Sequence, residues 1–391
     1  MSRLFYFPKL VLAYLWYLIT FPMWKKSVFL FSEKPDEARD NGFYFFQYVQ
    51  KQSNDFSDSS FYLIRKHSSD FDKLSKYSNK VVFWNSFKHF YLYFRSSKLI
   101  SSQWFPYPIS KKIVRFFPCH HKRLYWLQHG VTKDKMSSLD YSLNKNIAFI
   151  SCASSKEQKI FTEELHYPET IAVATGFCRF DGLVDESSFH RPTILVMPTF
   201  RKWLESKNVF KPSKDEESVF LSSKYFSFYS ELLTDPSLIS FLKSKGVSLI
   251  FYPHYALQPY LHLFKVDSEC VVLANKENYD VQALLKQCNL MVTDYSSVAF
   301  DFAYMQKPVL YAHFDLDDYR QNHYPEGSFS YVNDGFGEVS YSLKEIVDLI
   351  CEYINSSFKM QNIYKERSLS FFDVPKENNC SRVFSEVFEH K

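Results

Sequence analysis

Cys288-Asn289-Leu290-Met291-Val292-Thr293-Asp294-Tyr295-Ser296-Ser297-Val298-Ala299-Phe300-Asp301-Phe302-Ala303-Tyr304-Met305 is the stretch on which the fold turns. Residues 288–293 read as a short buried strand and residues 298–305 as a helix. Asp294-Tyr295-Ser296-Ser297 therefore sits at a strand C-terminus and a helix N-terminus. That is where α/β folds bind phosphate, because unpaired backbone N–H groups and the positive end of the helix dipole point outward. Ser296 and Ser297 add hydroxyl donors. Asp294 has a blander use as the helix cap.

Outward from this turn, short β-like runs alternate with helical segments. Expected strands in the first half are Ser27–Phe31, Phe61–Ile64, Val81–Trp84, Lys98–Ser101, Leu124–Gln128 and Ile147–Ser151. In the second half they are Thr193–Met197, Val247–Tyr252, Cys270–Leu273, Leu290–Thr293 and Pro308–Tyr311. Helical periodicity marks Ser155–His166, Ser227–Ser244, Val281–Gln287 and Leu343–Ile354. Alternating β and α implies parallel sheets covered by helices. The fold class expected is α/β, with two Rossmann-like domains facing a central cleft. The polar run Asp185–Pro192 sets the boundary, giving domains 27–188 and 189–391, with the last helix free to pack back on the first domain. Ser206–Ser218 reads as a loop or short insertion.

A chain of 391 residues fits two such domains, and a net charge of +4 is too mild for a general nucleic-acid binder. The charge is unevenly spread. Lys111, Lys112, Arg115, Lys122 and Arg123 put five basic residues within thirteen positions and no acid among them. They form either a solvated loop or a surface for an anionic lipid or polymer. Seven cysteines, at 119, 152, 178, 270, 288, 351 and 380, are scattered without CxxC spacing. This pattern predicts a reduced, cytosolic protein without a structural metal.

Leu4 to Trp24 is nearly uninterrupted apolar and aromatic sequence, long enough on paper to span a bilayer. Pro8 and Pro22 shorten the helix, Lys9 interrupts the apolar run, and basic residues flank both ends, so the positive-inside rule assigns no orientation. The reading preferred is a helix, within residues 1–26, lying in the cytoplasmic membrane interface. A buried core helix and a true span are the alternatives. No cleavage site follows, so a removed signal peptide is not expected.

Four segments follow expected strands and carry reactive side chains. Gln128-His129-Gly130 places an imidazole on a turn, with Gly130 permitting close ligand approach. Pro198-Thr199-Phe200-Arg201 offers a guanidinium that can fork onto phosphate oxygens. Pro253-His254-Tyr255 supplies a second histidine, and the Asp-Tyr-Ser-Ser turn is the fourth. Asp301 follows Asp294 by seven residues, about two helical turns, so both can share a face.

The order of these segments is more specific than any of them. HG, PT-x-R, PHY and TDYSS-x-x-x-D-x-A-x-x-x-K-P are followed by Tyr311 to Arg320, ending in Asp315-Leu316-Asp317-Asp318-Tyr319-Arg320. The series resembles the CDP-glycerol glycerophosphotransferase family of teichoic acid primases and polymerases, with its capsule-polymerase relatives. The resemblance runs over residues 95–350 and is sharpest from Val292 to Arg320. Leu127–Met136 looks like that family's WHG-x-x-x-K-K-M, with Gln128 in place of an aromatic. Thr175–Asp181 looks like its G-x-P-R-x-D, with Cys178 in place of proline.

The resemblance implies a GT-B-like fold. It also implies transfer of a polyol phosphate from CDP-glycerol or CDP-ribitol to a hydroxyl of a lipid-linked or polymer acceptor at the cytoplasmic membrane surface, releasing CMP, in teichoic acid or capsule synthesis. His129 would be the general base, a role worth ~10²–10⁴ in rate. His254 would be the second catalytic residue, offsetting charge on the pyrophosphate; Gly130, Arg201, Asp294, Ser296, Ser297 and Asp301 would bind the donor and its phosphates, and closure of the cleft would assemble the site. No dense carboxylate cluster for Mg²⁺ stands out, so metal-independent chemistry without a cofactor is expected. The alternative is a GT-B glycosyltransferase using a sugar nucleotide.

Overall fold

The computed structural model describes residues 6–23, 26–52, 55–104, 117, 122–208 and 211–389. The chain divides into two compact units. The first comprises Met1–Val131, Ser137–Gly182 and Phe372–Lys391, and the second Thr132–Met136 and Leu183–Phe371. The chain passes from the first unit to the second at 182/183, residues 372–391 return to the first unit, and residues 132–136 belong to the second.

The first unit is built on a seven-stranded sheet in the order β3-β2-β1-β4-β5-β6-β7. Its strands are β1 Val28–Ser32, β2 Ser60–Ile64, β3 Val81–Phe83, β4 Ser96–Ser101, β5 Leu124–Trp126, β6 Ile147–Cys152 and β7 Ala172–Ala174. Every pairing is parallel, with Leu30 of β1 opposite Phe61 and Leu99. All five residues of β1 are buried, as expected of a strand covered on both faces. Phe31, Phe45, Phe46, Tyr62 and Ile64 lie in its largely aromatic core, and Val383 and Val387 of the C-terminal segment join them. Each such side chain contributes ~1.5–3 kcal/mol on burial.

The Thr175–Asp181 motif acquires a physical reading here. Gly176 has φ of 73°, and a Cβ there would lie 1.8 Å from Asn379 Oδ1. Asp181 accepts the backbone N–H groups of Asn379 (2.9 Å) and Cys380 (2.8 Å), so it holds the start of the C-terminal helix Asn379–Phe384.

The second unit has six parallel strands in the order β10-β9-β8-β11-β12-β13. They are β8 Thr193–Val196, β9 Ser248–Phe251, β10 Val271–Leu273, β11 Leu290–Thr293, β12 Val309–Ala312 and β13 Gly337–Ser340. Val292 of β11 faces Val196 on one side and Leu310 on the other. Ile194, Val196, Leu249 and Leu310 pack against Leu232, Leu233, Ile346 and Ile350. In both sheets the chain starts centrally, runs to one edge, then restarts on the far side of its first strand. The reversal lies between β1 and β4 in one unit and between β8 and β11 in the other, and ligands of open α/β sheets bind beyond the strand C-termini at such points.

Three local expectations are corrected. The helical stretch 227–244 is two helices, Lys224–Thr234 and Pro236–Lys245, because Asp235 caps the second through Leu238 N–H (2.7 Å) and Pro236 opens it. The loop expected over 206–218 already contains the start of the helix Lys214–Leu221, closed by a Ser213–Glu216 capping box. The π-turn Ile160–Glu164 ends the helix that begins at Ser155.

Near the N-terminus, Phe7–Thr20 is a helix of 14 residues, about 21 Å long and shorter than a ~30 Å hydrocarbon core. Among the described residues no helix is long and apolar enough to cross a membrane. One side of this helix packs on the helix Phe87–Arg95, with Tyr14 edge-on to Phe94 at 5.1 Å and Thr20 Oγ1 3.0 Å from Tyr91 Oη. Leu10 and Ala13 are buried there, while Leu12, Leu15, Trp16, Leu18, Ile19 and Phe21 are exposed.

Candidate functional site

In the second unit the two loops at the sheet reversal are tied together by one carboxylate. Asp294, at the end of β11, accepts the Thr199 N–H (2.8 Å) from the loop after β8 and the Tyr295 N–H (2.6 Å) of its own turn. Its other oxygen lies 3.0 Å from Arg201 Nη2 and accepts the Tyr229 hydroxyl at 3.3 Å. Arg201 forks onto Asp315, Nε to Oδ2 at 2.7 Å and Nη2 to Oδ1 at 2.9 Å, and gives Nη1 to the Thr199 carbonyl.

This arrangement changes the parts expected for three residues. Arg201 is wholly buried, and its guanidinium lies 5.1 Å from the centres of both the Tyr295 and Tyr319 rings. Burial disfavours its charge, but Asp294 and Asp315 more than restore it and raise its pKa. Its nitrogens hold protein oxygens instead of phosphate oxygens, so it braces the loops. Asp294 is 0% exposed and spends both oxygens on protein partners, and it does not cap the helix Val298–Tyr304. That N-cap position belongs to Ser297, without a side-chain bond. Asp301 is 2% exposed and lies within the packed helix. Ser296 and Ser297 do remain partly open at the turn.

Around this brace runs a column of four stacked rings. His323 lies on Tyr319 at 4.7 Å, Tyr319 on Tyr295 at 3.7 Å, and Tyr295 on His313 at 4.5 Å, with interplanar angles of 12°, 15° and 24°. His313 Nε2 donates to the Asp294 carbonyl at 3.2 Å. Burial lowers the pKa of His313 to about 4 and that of His323 to about 3, so both are neutral near pH 7. Arg320 donates to Asp134 at 2.7 Å, and Lys133 pairs with the same carboxylate. Burial lowers the Lys133 pKa against the opposing pull of Asp134. His254, in the loop after β9, is half-buried and stacks on Phe200 at 4.6 Å. Phe200 in turn meets His323 edge-on at 4.7 Å.

In the first unit, β5 ends two residues before the buried Gln128, whose φ is 58°, a left-handed conformation unusual for a side chain of that size. The twist is held from both ends. Gln128 Nε2 donates to Ser151 O (2.8 Å), while Asn41 Nδ2 donates to the carbonyls of Leu127 (3.1 Å) and Gln128 (2.8 Å). His129 follows, 57% exposed, with Nδ1 2.5 Å from Asp40 Oδ2. Asp40 caps the helix Asn41–Lys51 through Asn41 N–H (2.7 Å) and takes Arg179 Nη1 on the same oxygen at 3.1 Å. Burial alone would raise the Asp40 pKa, but His129 and Arg179 outweigh it and hold the pKa below the usual value. Behind it, burial and the Asp40 charge push Glu33 up to about 8. A carboxylate on Nδ1 orients the ring and leaves Nε2 as the basic nitrogen, the tautomer required of a general base. Gly130 sits half-buried in the bend beyond.

Sequence reasoning misses Asp40, Asp134 and His323, and leaves Arg179 and Asp315 inside quoted motifs without a part to play. Asp40 carried a signal: Asp-Asn directly ahead of an aromatic helix, after the first strand. Lys111, Lys112 and Arg115 lie outside the described residues. Lys122 is not a free surface cation. It donates to the carbonyls of Phe94 and Ser96, both at 2.7 Å, at the end of the helix Phe87–Arg95. Arg123 is exposed. Among the described residues no group of three His, Cys, Asp or Glu side chains is arranged for a metal ion.

The sequence profile described as CDP-glycerol:poly(glycerophosphate) glycerophosphotransferase matches residues 13–389. The minor teichoic acid biosynthesis protein GgaB of Bacillus subtilis (strain 168) is 31% identical over 370 residues, 93% of this chain and 40% of GgaB. The chain thus spans well under half the length of that relative. The wall teichoic acid polymerase TagF superimposes with a TM-score of 0.64 at 13% identity, covering 99% of this chain and 97% of TagF. A TagF variant soaked with CDPG gives a TM-score of 0.66 at 13% identity, over 99% and 97% of the two chains. A putative UDP-N-acetylglucosamine 2-epimerase from Listeria monocytogenes gives 0.56 at 10% identity, over 93% and 98%. These structural likenesses speak for the fold, two Rossmann-like units of the GT-B type. With the profile running over nearly its whole length, the chain belongs to the CDP-glycerol:poly(glycerophosphate) glycerophosphotransferase family.

Proposed function

We propose that this chain transfers glycerol phosphate from CDP-glycerol to a hydroxyl of a teichoic acid acceptor. The acceptor proton passes to His129 Nε2 while the hydroxyl oxygen attacks the β-phosphorus. The bond from that phosphorus to the bridging oxygen breaks, CMP leaves with the bridging oxygen, and a phosphodiester forms. The observation that carries the reading is the Asp40–His129 contact, which commits Nδ1 and leaves Nε2 open on a half-exposed ring. In the second unit, the open Ser296–Ser297 turn and His254 serve the donor, with Arg201 and Asp294 holding the loops rigid.

The first unit takes the acceptor side and the membrane. The exposed Leu12, Trp16 and Ile19 on the helix Phe7–Thr20 suit an interfacial helix at the cytoplasmic face, and the exposed Arg123 is a cation for anionic headgroups. Lipid-linked and polymeric acceptors, and CDP-ribitol as donor, belong to the same proposal.

The test is a donor panel of CDP-glycerol, CDP-ribitol and UDP-sugars with a synthetic lipid-linked acceptor, read by mass spectrometry, with and without excess chelator. Release of CMP with a phosphodiester product supports the reading, and persistence in chelator supports metal-independent transfer. Release of UDP with a glycosidic product would sink it. His129→Ala should abolish transfer and keep CDP-glycerol binding; activity within ~3-fold of wild type removes the base assignment.

A further inference from the structure

His323 is a buried imidazole whose two nitrogens have different fates. Nδ1 accepts the Lys202 backbone N–H at 3.2 Å, so the ring proton sits on Nε2. That Nε2–H is buried and has no acceptor among the described residues, although the residue is only 6% exposed. A buried donor without an acceptor costs free energy unless something fills it.

The ring is also held from three sides. It stacks on Tyr319 at 4.7 Å, meets Phe200 edge-on at 4.7 Å, and is followed by Tyr324, whose ring lies 4.5 Å away. Lys202 Nζ donates to the His323 carbonyl at 2.7 Å. The donor is fixed in direction.

It is not alone. Thr199 Oγ1, Arg320 Nε and Tyr331 Oη are buried and lack partners in the same way. They belong to one neighbourhood. Thr199 is bonded through its N–H to Asp294, Arg320 lies 5.7 Å from the Tyr319 ring and 5.9 Å from the Tyr331 ring, and Tyr331 meets His313 at 4.6 Å. All four groups can donate, and two of them can only donate. A set of buried donors calls for a ligand rich in acceptor oxygens.

We propose that His323 is a substrate contact, giving its Nε2–H as a neutral donor to an anionic phosphoryl oxygen of the diphosphate. This rests on the donor reading above. The uncharged imidazole recognises the anion without adding a positive charge that would have to be released with the product.

Calorimetric titration of the full chain with inorganic pyrophosphate, CDP-glycerol and cytidine tests it, using His323→Asn and His323→Gln. The Asn oxygen reaches the Nδ1 position and keeps the Lys202 bond, but its amide cannot reach the Nε2 position, whereas a Gln nitrogen can. His323→Asn should bind pyrophosphate and CDP-glycerol about tenfold or more weakly, with cytidine unchanged and His323→Gln within ~3-fold of wild type. Pyrophosphate binding by His323→Asn within ~3-fold of wild type overturns the proposal, since Nε2–H then gives nothing to the anion. Equal losses for cytidine and pyrophosphate in both variants also overturn it, as the mark of a packing role. If wild type binds pyrophosphate but not CDP-glycerol, the donor reading falls and His323 is judged on pyrophosphate; if it binds neither, both fall.

Discussion

Asp40 Oδ2 stands 2.5 Å from His129 Nδ1, and Arg179 holds the other oxygen of the same carboxylate. The aspartate caps a helix and orients the imidazole at once, so the ring is aimed by the sheet's first strand-to-helix connection. Replacing Asp40 with Asn keeps the shape and lets the amide donate to Nδ1, which moves the ring proton to Nε2 and removes the base. The expected result is a fall in kcat of ~10²–10⁴ with KM for CDP-glycerol within ~3-fold. Steady-state kinetics on Asp40→Asn check this, and a rise in KM with unchanged kcat would assign Asp40 to binding.

The Arg201 guanidinium is spent on Asp294, Asp315 and the Thr199 carbonyl, and its expected part is to brace the loops. Arg201→Met would leave Asp294 and Asp315 buried without their cation, a loss of ~3–5 kcal/mol. Thermal or denaturant unfolding should show this loss with no ligand present. A phosphate-binding arginine would show the reverse: weak CDP-glycerol binding at nearly native stability.

Acid should loosen the second unit first. His313, at about 4, and His323, at about 3, stay neutral in the folded chain, while the unfolded chain takes up protons below ~6.5. Depressed values of this kind give stability that is full above ~6.5 and is lost as pH falls toward the folded values. Together they contribute on the order of 2 kcal/mol per pH unit near pH 5.5. In the first unit the buried His89, at about 3, acts in the same sense, but Glu33, at about 8, acts oppositely: its contribution is full below the ordinary carboxyl value and fades as pH rises toward 8. The two nearly cancel between pH 4.5 and 6.5. Hydrogen exchange at pH 6.5 and 5 should show protection lost in the second sheet well ahead of the first, and parallel loss in both would contradict this.

Charges on the open face of the helix Phe7–Thr20 should detach the protein from lipid. Trp16→Glu with Ile19→Glu alters residues that are 51% and 63% exposed, so the melting temperature should hold within ~2 °C. Co-sedimentation with anionic vesicles should fall severalfold. Unchanged sedimentation would refute the interfacial reading.

The central strands and the motif order could be read from composition, because β1, β8, β11 and β12 are apolar runs between turn signals. The edge strands β7 and β13 could not. Ala172–Ala174 is three residues long, and Gly337–Ser340 opens on glycine and carries a glutamate. Within the site, His129 stood out by residue type and turn context. The protein partners of Arg201 and Asp294 could not be read for a physical reason. A charge just past a strand can meet a ligand or a partner, and residues 201, 294 and 315 become neighbours only when three parallel strands align. His323 gave no signal at all, since an orphaned nitrogen exists only once its surroundings do.

The return of residues 372–391 to the first unit has a consequence for biogenesis. Val383 and Val387 fill that unit's core, yet they leave the ribosome only after every strand of the second sheet has been made. The half that starts emerging first is therefore the half that finishes last, waiting incomplete while its younger neighbour matures.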